Sequence, residues 1–358
     1  MEDELKALSK GNKVIFKQNS VPLFQNKVYR TKEEALNAPT GEVQLAESAQ
    51  TGFIFNKTFD NSLMDYDADY HNEQSNSPIF KEHLQYVFDL IKRYDLTGKK
   101  VVEIGCGKAH FFNLMKENGV NCIGFDPAYE GNDTAIIKDY FSDKYDINGD
   151  LIILRHTLEH IENPHLFISD IAKANKYRGY IFIEVPTFDW INKKQAFWDV
   201  FYEHCNYFTE TSLGSMFNKA ETGSFFGGQY IYCYSALKEL KTTIEKKSEG
   251  SIENISFDSS VLKWGKFLDE KKNIAVWGAG AKGSTFLNLL DQKKEKIKFV
   301  IDINPEKQNK FIARTCHPIY SPKALEGSGI ENILIMNENY IDEIKAAVNN
   351  PNINFYCL

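Results

Sequence analysis

A chain of 358 residues is too long for one ordinary core and suits two or three domains. Its composition, 42% hydrophobic and 25% charged, is that of a globular protein, and a formal net charge of -7 argues against nonspecific affinity for nucleic acid phosphates. No apolar run approaches the ~18 residues that a membrane span needs, and the start Met1-Glu2-Asp3-Glu4-Leu5-Lys6 is too acidic for a signal peptide, so a cytoplasmic protein without membrane partners is expected.

The six cysteines, Cys106, Cys122, Cys205, Cys233, Cys316 and Cys357, are scattered with no C-x-x-C spacing. Neither a disulfide framework nor a cysteine zinc site is expected, and no metal ligand set is read from the sequence.

Residues 1–79 mix short apolar runs, Val14-Ile15-Phe16 and Gly52-Phe53-Ile54-Phe55, with turn residues, and read as a small β-rich module. From Ser77-Pro78 the apolar positions Phe80, Leu84, Val87, Phe88 and Ile91 fall at helical spacing, and the turn Leu96-Thr97-Gly98 then leads into a buried strand over 100–104. A helix over 111–118, strands over 121–125 and 150–154, a helix over 166–175 and a strand over 180–184 follow. Alternation of this kind implies an α/β fold with a parallel sheet, here over 80–240. A polar segment over 238–259 separates it from a second glycine-rich strand-turn-helix. Strands over 298–301 and 332–336 make residues 260–358 a smaller Rossmann-like domain.

The chemistry concentrates at strand ends. In Val102-Glu103-Ile104-Gly105-Cys106-Gly107 an apolar strand ends in a turn where Gly105 and Gly107 let backbone approach a ligand without Cβ obstruction. One strand later, Gly124-Phe125-Asp126-Pro127 sets a carboxylate where it can accept hydrogen bonds from two ribose hydroxyls. The form E-x-G-x-G followed by an acidic strand end, with no third glycine at the dinucleotide spacing, favours S-adenosylmethionine over NAD. Glu103, Gly105, Gly107, Asp126 and Pro127 form the expected cofactor set, joined by Asp139-Tyr140 at the next strand end and by Arg155.

Residues Arg155, His156, Glu159 and His160 follow a buried strand, at the edge where open α/β sheets bind ligands. The string Phe201-Tyr202-Glu203-His204-Cys205-Asn206-Tyr207-Phe208 adds an aromatic wall, Tyr202 and Tyr207 included, around a Glu-His pair. An imidazole tuned by a carboxylate suits a general base, and satisfied structural residues are the competing reading. The second turn, Gly278-Ala279-Gly280-Ala281-Lys282-Gly283 with Asp302 at the next strand end, is a dinucleotide fingerprint when read alone. Lys282 there would add charge toward a phosphate. An NAD-dependent oxidoreductase and a noncatalytic binding subunit therefore stay open as readings.

Taken in order, these pieces resemble the sugar C-methyltransferases of deoxysugar biosynthesis. The resemblance spans nearly the whole chain and rests on Glu103-Ile104-Gly105-Cys106-Gly107, Leu158-Glu159-His160-Ile161, Tyr202-Glu203-His204 to Tyr207-Phe208, and the second glycine turn with Asp302 to Gln308. It implies a class I methyltransferase core between an N-terminal module and a C-terminal Rossmann-like domain. It implies methylation by S-adenosylmethionine of a nucleotide-linked 4-keto-6-deoxy sugar, at a carbon beside the ketone. By position, His204 would be the base, Glu203 its supporting carboxylate and His160 a neighbour of the keto sugar. Tyr70 and His71 would close over the substrate.

Two features depart from the family pattern. Zinc-binding cysteines are replaced by Ser48-Ala49-Gln50-Thr51-Gly52, and the tyrosine usual before the base pair is Phe201. O- or N-methylation of a polysaccharide sugar or another small metabolite is the alternative that uses the same cofactor pocket.

Overall fold

The computed structural model describes residues 12–64, 74–245 and 255–358; Tyr70 and His71 lie outside them. The central sheet has seven strands. Lys100–Ile104 lies in the middle, with Asn121–Phe125 and Ile136–Ile137 on one side and Leu151–Arg155 and Tyr180–Pro186 on the other, all parallel. The hairpin of Glu221–Phe225 and Tyr230–Ala236 completes it in antiparallel sense. Numbered along the chain, the strands run 3-2-1-4-5-7-6 across the sheet. Alternate residues face opposite cores: Val101, Ile153 and Phe182 pack under Phe88 and Phe112, while Val102, Leu154 and Ile183 pack with Ile168 and Ile171.

The helix Pro78–Lys92 starts where its spacing predicts, because the Ser77 side chain accepts the Phe80 amide and Pro78 takes the first turn. The helices His110–Glu117 and Pro164–Ala174 also fall within two residues of expectation.

The C-terminal unit carries a second parallel sheet of five strands, in the order Ile319–Tyr320, Ile297–Ile301, Ile274–Trp277, Asn332–Ile335, Asn354–Cys357. The N-terminal residues form an antiparallel sheet of Lys13–Pro22, Thr40–Glu47 and Ile54–Asn56, closed by Asn206–Tyr207 from the central unit. Its neighbour Val28–Tyr29 pairs with Phe311–Ile312. One apolar cluster runs through all three parts, from Val43 and Leu45 through Trp198 and Tyr202 to Val276 and Phe286. The N-terminal sheet is thus seated by shared core as well as by strand pairing.

The turn at Ser48 to Gly52 is closed without thiols. The Ser48 hydroxyl accepts the Thr51 amide at 3.1 Å, the Thr51 hydroxyl accepts the Phe53 amide at 3.2 Å, and Gly52 donates to the Ser48 carbonyl at 2.8 Å. With no cysteine before Cys106, this module does not fit the zinc that the family holds there. No helix among the described residues is long and apolar enough to cross a membrane.

Candidate active site

The first glycine turn is held by its backbone. Gly105, at φ +79°, donates to the Phe125 carbonyl at 2.8 Å, and a Cβ on it would overlap the Thr157 side chain. Gly107, at φ +53°, donates to Asp126 Oδ2 at 2.7 Å, while Asp126 Oδ1 accepts the Ala128 amide at 2.8 Å. Asp126 therefore braces the turn, and each of its oxygens keeps a lone pair for a further donor. Glu103 is only 2% exposed, and its Oε2 lines the turn without a hydrogen-bond partner among the described residues. Burial, opposed by Arg155, raises its pKa to about 7. Asp139 already accepts from Lys144 Nζ and Tyr145 Oη, both at 2.7 Å, and Tyr140 is 71% exposed. A cavity of about 390 Å³ is lined by Glu103, Gly105, Gly107 and Arg155, but not by Asp126, Pro127, Asp139 or Tyr140.

The loop after Leu151–Arg155 turns sharply at His156, whose φ is +50°. Behind it lies a buried carboxylate, Glu184, which receives Arg155 Nε at 2.5 Å and His83 Nε2 at 2.6 Å, with His156 Nε2 at 3.4 Å. Burial would raise the Glu184 pKa, but Arg155 and His156 outweigh it and hold the group well below the ordinary value. Burial likewise opposes a charge on His156, yet Glu184 and Glu159 raise its pKa to about 9, so the cavity wall carries an imidazolium at neutral pH. Nothing in the spacing of His83 or Glu184 signals this network, because it joins a helix to a strand 101 positions away.

His160 and His204 meet in the cavity with ring centroids 4.9 Å apart and planes at 87°. His160 Nδ1 lies 3.0 Å from the Glu203 carbonyl oxygen, which can only accept, so Nδ1 carries the proton and Nε2 the lone pair. Burial lowers the pKa of both rings, and the neighbouring His160, His156 and Lys282, each of which would repel a charge on His204, help to hold that ring well below the ordinary value. Both are neutral at pH 7. Phe201 stands 4.6 Å from His204, centroid to centroid.

The expectation for Glu203 is corrected here. Its carboxylate accepts the Gln25 amide at 2.9 Å and so faces the N-terminal module. The carboxylate beside the imidazoles is Glu159, whose ligating oxygen and one nitrogen of each ring lie within 4.8 Å of one another. Two expected substrate contacts are likewise structural. The Tyr202 hydroxyl donates to the Thr58 carbonyl at 3.3 Å and accepts the Asp60 amide at 3.0 Å. The Tyr207 hydroxyl closes a ring on Phe201, donating to its carbonyl and accepting its amide, both at 2.9 Å. Neither tyrosine lines the cavity; both belong to the apolar cluster that the N-terminal module shares.

The second glycine turn borders the same cavity. Gly278 has φ +118°, and a Cβ on Gly283 would run into its carbonyl. Asp302 braces this turn as Asp126 braces the first, with Oδ2 accepting the Ala279 amide and Oδ1 the Asn304 amide, both at 2.8 Å. Asn26 of the N-terminal module caps the following helix, its Oδ1 accepting the Ala281 amide at 3.1 Å. Lys282 is not free for phosphate. Its Nζ sits 2.5 Å from Asp199, and 4.8 Å from the Trp190 ring centroid. The buried cation nearer the glycines is Lys307, which donates to the Ala279 carbonyl at 3.4 Å.

Residues 80–221 match the model of a methyltransferase domain, and residues 260–352 match that of a C-methyltransferase C-terminal domain. The chain is similar to C-methyltransferase NovU of Streptomyces niveus, 25% identical across 74% of this chain and 72% of that protein. Among solved structures, a SAM-dependent methyltransferase from Archaeoglobus fulgidus is similar over 44% of this chain and 97% of its own, at 21% identity and TM-score 0.34. The PH0226 protein from Pyrococcus horikoshii OT3 is similar over 48% and 100%, at 15% identity and TM-score 0.37. With both domain models matched in order and the braced glycine turn on a sheet of order 3-2-1-4-5-7-6, the chain is an S-adenosylmethionine-dependent methyltransferase of class I fold, its methyltransferase domain followed by a C-methyltransferase C-terminal domain.

Proposed function

We propose that this enzyme methylates a sugar carbon adjacent to a ketone, on a nucleotide-linked 4-keto-6-deoxy sugar. The observation that carries the reading is a single cavity joining the first glycine turn, the neutral His160 and His204 rings, and the second glycine turn. Such a cavity suits a ligand with a nucleotide at one end and a reacting carbon at the other, and nucleotide sugars are made in the cytoplasm.

The first turn fits S-adenosylmethionine. Glu103 Oε2, buried and unpartnered, would take the cofactor's ammonium group, Asp126 its ribose hydroxyls, and Gly107 leaves open space where a Cβ would stand. When bound, the cofactor supplies a methyl group on a positively charged sulfur that is already a good leaving group.

The chain's task is to make a carbon nucleophile. A sugar C–H beside a ketone becomes removable when the resulting negative charge spreads onto the carbonyl oxygen. Neutral His204 takes the proton, and Glu159 offsets the imidazolium that forms. The protonated His156 sets a positive charge on the cavity wall that favours the enolate. Asp302 and the amides of the second turn would hold the nucleoside. Phe201, in place of the family's tyrosine, leaves carbonyl polarisation to this fixed charge.

Mass spectrometry tests the reading. The enzyme is incubated with methyl-labelled S-adenosylmethionine and nucleotide 4-keto-6-deoxy sugars deuterated beside the ketone. Gain of the label with loss of one deuterium is expected; gain of the label with all deuterium retained would transfer the enzyme to O- or N-methylation.

A further inference from the structure

Among the described residues, two groups of three side chains bring metal-ligating atoms together. The first, His83, His156 and Glu184, is closed by its own hydrogen bonds and by Arg155, which already balances the carboxylate. The second, Glu159, His160 and His204, opens on the cavity.

We propose that Glu159, His160 and His204 form a binding site for a divalent transition-metal ion of the zinc class, and that the ion, once bound, silences methyl transfer. Three observations support it. One ligating atom of each residue lies within 4.8 Å of the other two. Glu159 is 2% exposed, and its Oε2 lies buried in the cavity wall without a hydrogen-bond partner among the described residues. His160 donates Nδ1–H to the Glu203 carbonyl, the backbone anchor that ligating histidines commonly use to fix the ring and leave Nε2 for the metal.

The donor set selects the ion. Two imidazole nitrogens and one carboxylate suit Zn²⁺, Co²⁺ or Ni²⁺, whereas Mg²⁺ and Ca²⁺ prefer oxygen shells. Three protein ligands on one wall leave the remaining position to water or substrate.

Silencing follows from the lone pair. The His204 nitrogen that would take a sugar proton is the one a metal would take, so ion and base activity exclude each other. This second half rests on the proposed role of His204, whereas the site itself does not.

The full chain is titrated with Co²⁺, followed by its visible absorption and by Zn²⁺ competition. One equivalent is expected, with binding weakened by about tenfold or more in Glu159→Gln and in His204→Gln. Calorimetric binding of S-adenosylmethionine to the same variants checks that they remain folded. Absence of a one-equivalent site, or an unchanged one in both folded variants, would overturn the proposal. If Zn²⁺ binds at the cluster and turnover persists, the metal site stands and the silencing fails together with His204 as the base.

Discussion

His160 Nδ1 is donated to the backbone carbonyl of Glu203, 3.0 Å away, while the Glu203 carboxylate points to the Gln25 amide at 2.9 Å. The residue preceding the expected base thus orients an imidazole through its backbone and anchors the N-terminal module through its side chain. Glu203→Gln should replace a charge-assisted bond by a neutral one and cost roughly 1 kcal/mol of stability. Its pH–rate profile should match that of the parent enzyme. Glu159→Gln should instead lower kcat, and the two are separated by pairing denaturant melts with pH–rate profiles. A shifted kinetic pKa in Glu203→Gln would return the supporting role to that carboxylate.

Glu103 supplies a pH dependence with a definite sign. Its folded-state pKa, raised to about 7, exceeds the value of 4.5 that the group has unperturbed. Between these values the folded state holds the extra proton, so stability falls as pH rises from about 4.5 through 7. Glu103→Gln should stabilise the cofactor-free enzyme at pH 8, by at most roughly 3 kcal/mol, and leave it nearly unchanged at pH 4. A bound ammonium group would favour the carboxylate, so cofactor affinity in the parent enzyme should climb with pH up to about 7 and then level off, with proton release. Calorimetry in buffers of different ionisation enthalpy reads that release. A flat affinity profile would place the ammonium elsewhere.

Both glycine turns and their bracing acids could be read from the sequence because each is local: a strand, a tight turn and a carboxylate one strand later. Helix Pro78–Lys92 was equally legible from its spacing and its Ser77 cap. The two-residue strand Asn206–Tyr207 was not, since its partner Ile54–Asn56 lies some 150 positions away and so short a run has no period. Tyr202 and Tyr207 likewise read as an aromatic wall around a ligand, whereas Tyr202 bonds to Thr58 and Asp60 of the N-terminal module and Tyr207 closes on Phe201. The exchange of partners at Glu203 also depends on this junction, because the module that supplies Gln25 determines which way the carboxylate faces.

Lys282 separates a structural role from a ligand role. The sequence suggested a phosphate contact, but the ammonium is spent on Asp199, whose side chain is only 13% exposed. Burial raises the Asp199 pKa, and Lys282 opposes that rise. Lys282→Met should strand the carboxylate and destabilise the protein by about 3 kcal/mol or more, while Lys282→Met with Asp199→Asn should regain most of the loss. Thermal melts of the three proteins decide it. A Lys282→Met protein with unchanged stability and a raised KM would restore the phosphate assignment.

Gly105 and Gly107 differ in what surrounds them, and this predicts opposite failures. Both have positive φ, which costs a non-glycine residue about 1 kcal/mol. At Gly105 a Cβ also meets Thr157, whose hydroxyl bonds to the Ile104 and Arg155 carbonyls, so the loop that carries His156 and Glu159 would have to move. At Gly107 no atom lies within 4 Å of the added carbon. Gly105→Ala should therefore lower both stability and turnover. Gly107→Ala should melt within about 1 kcal/mol of the parent yet bind S-adenosylmethionine weakly, because the space its methyl fills is where the cofactor would lie against the turn. Melts and cofactor calorimetry on the two variants test this. Unimpaired cofactor binding by Gly107→Ala would move the ligand away from this side of the turn.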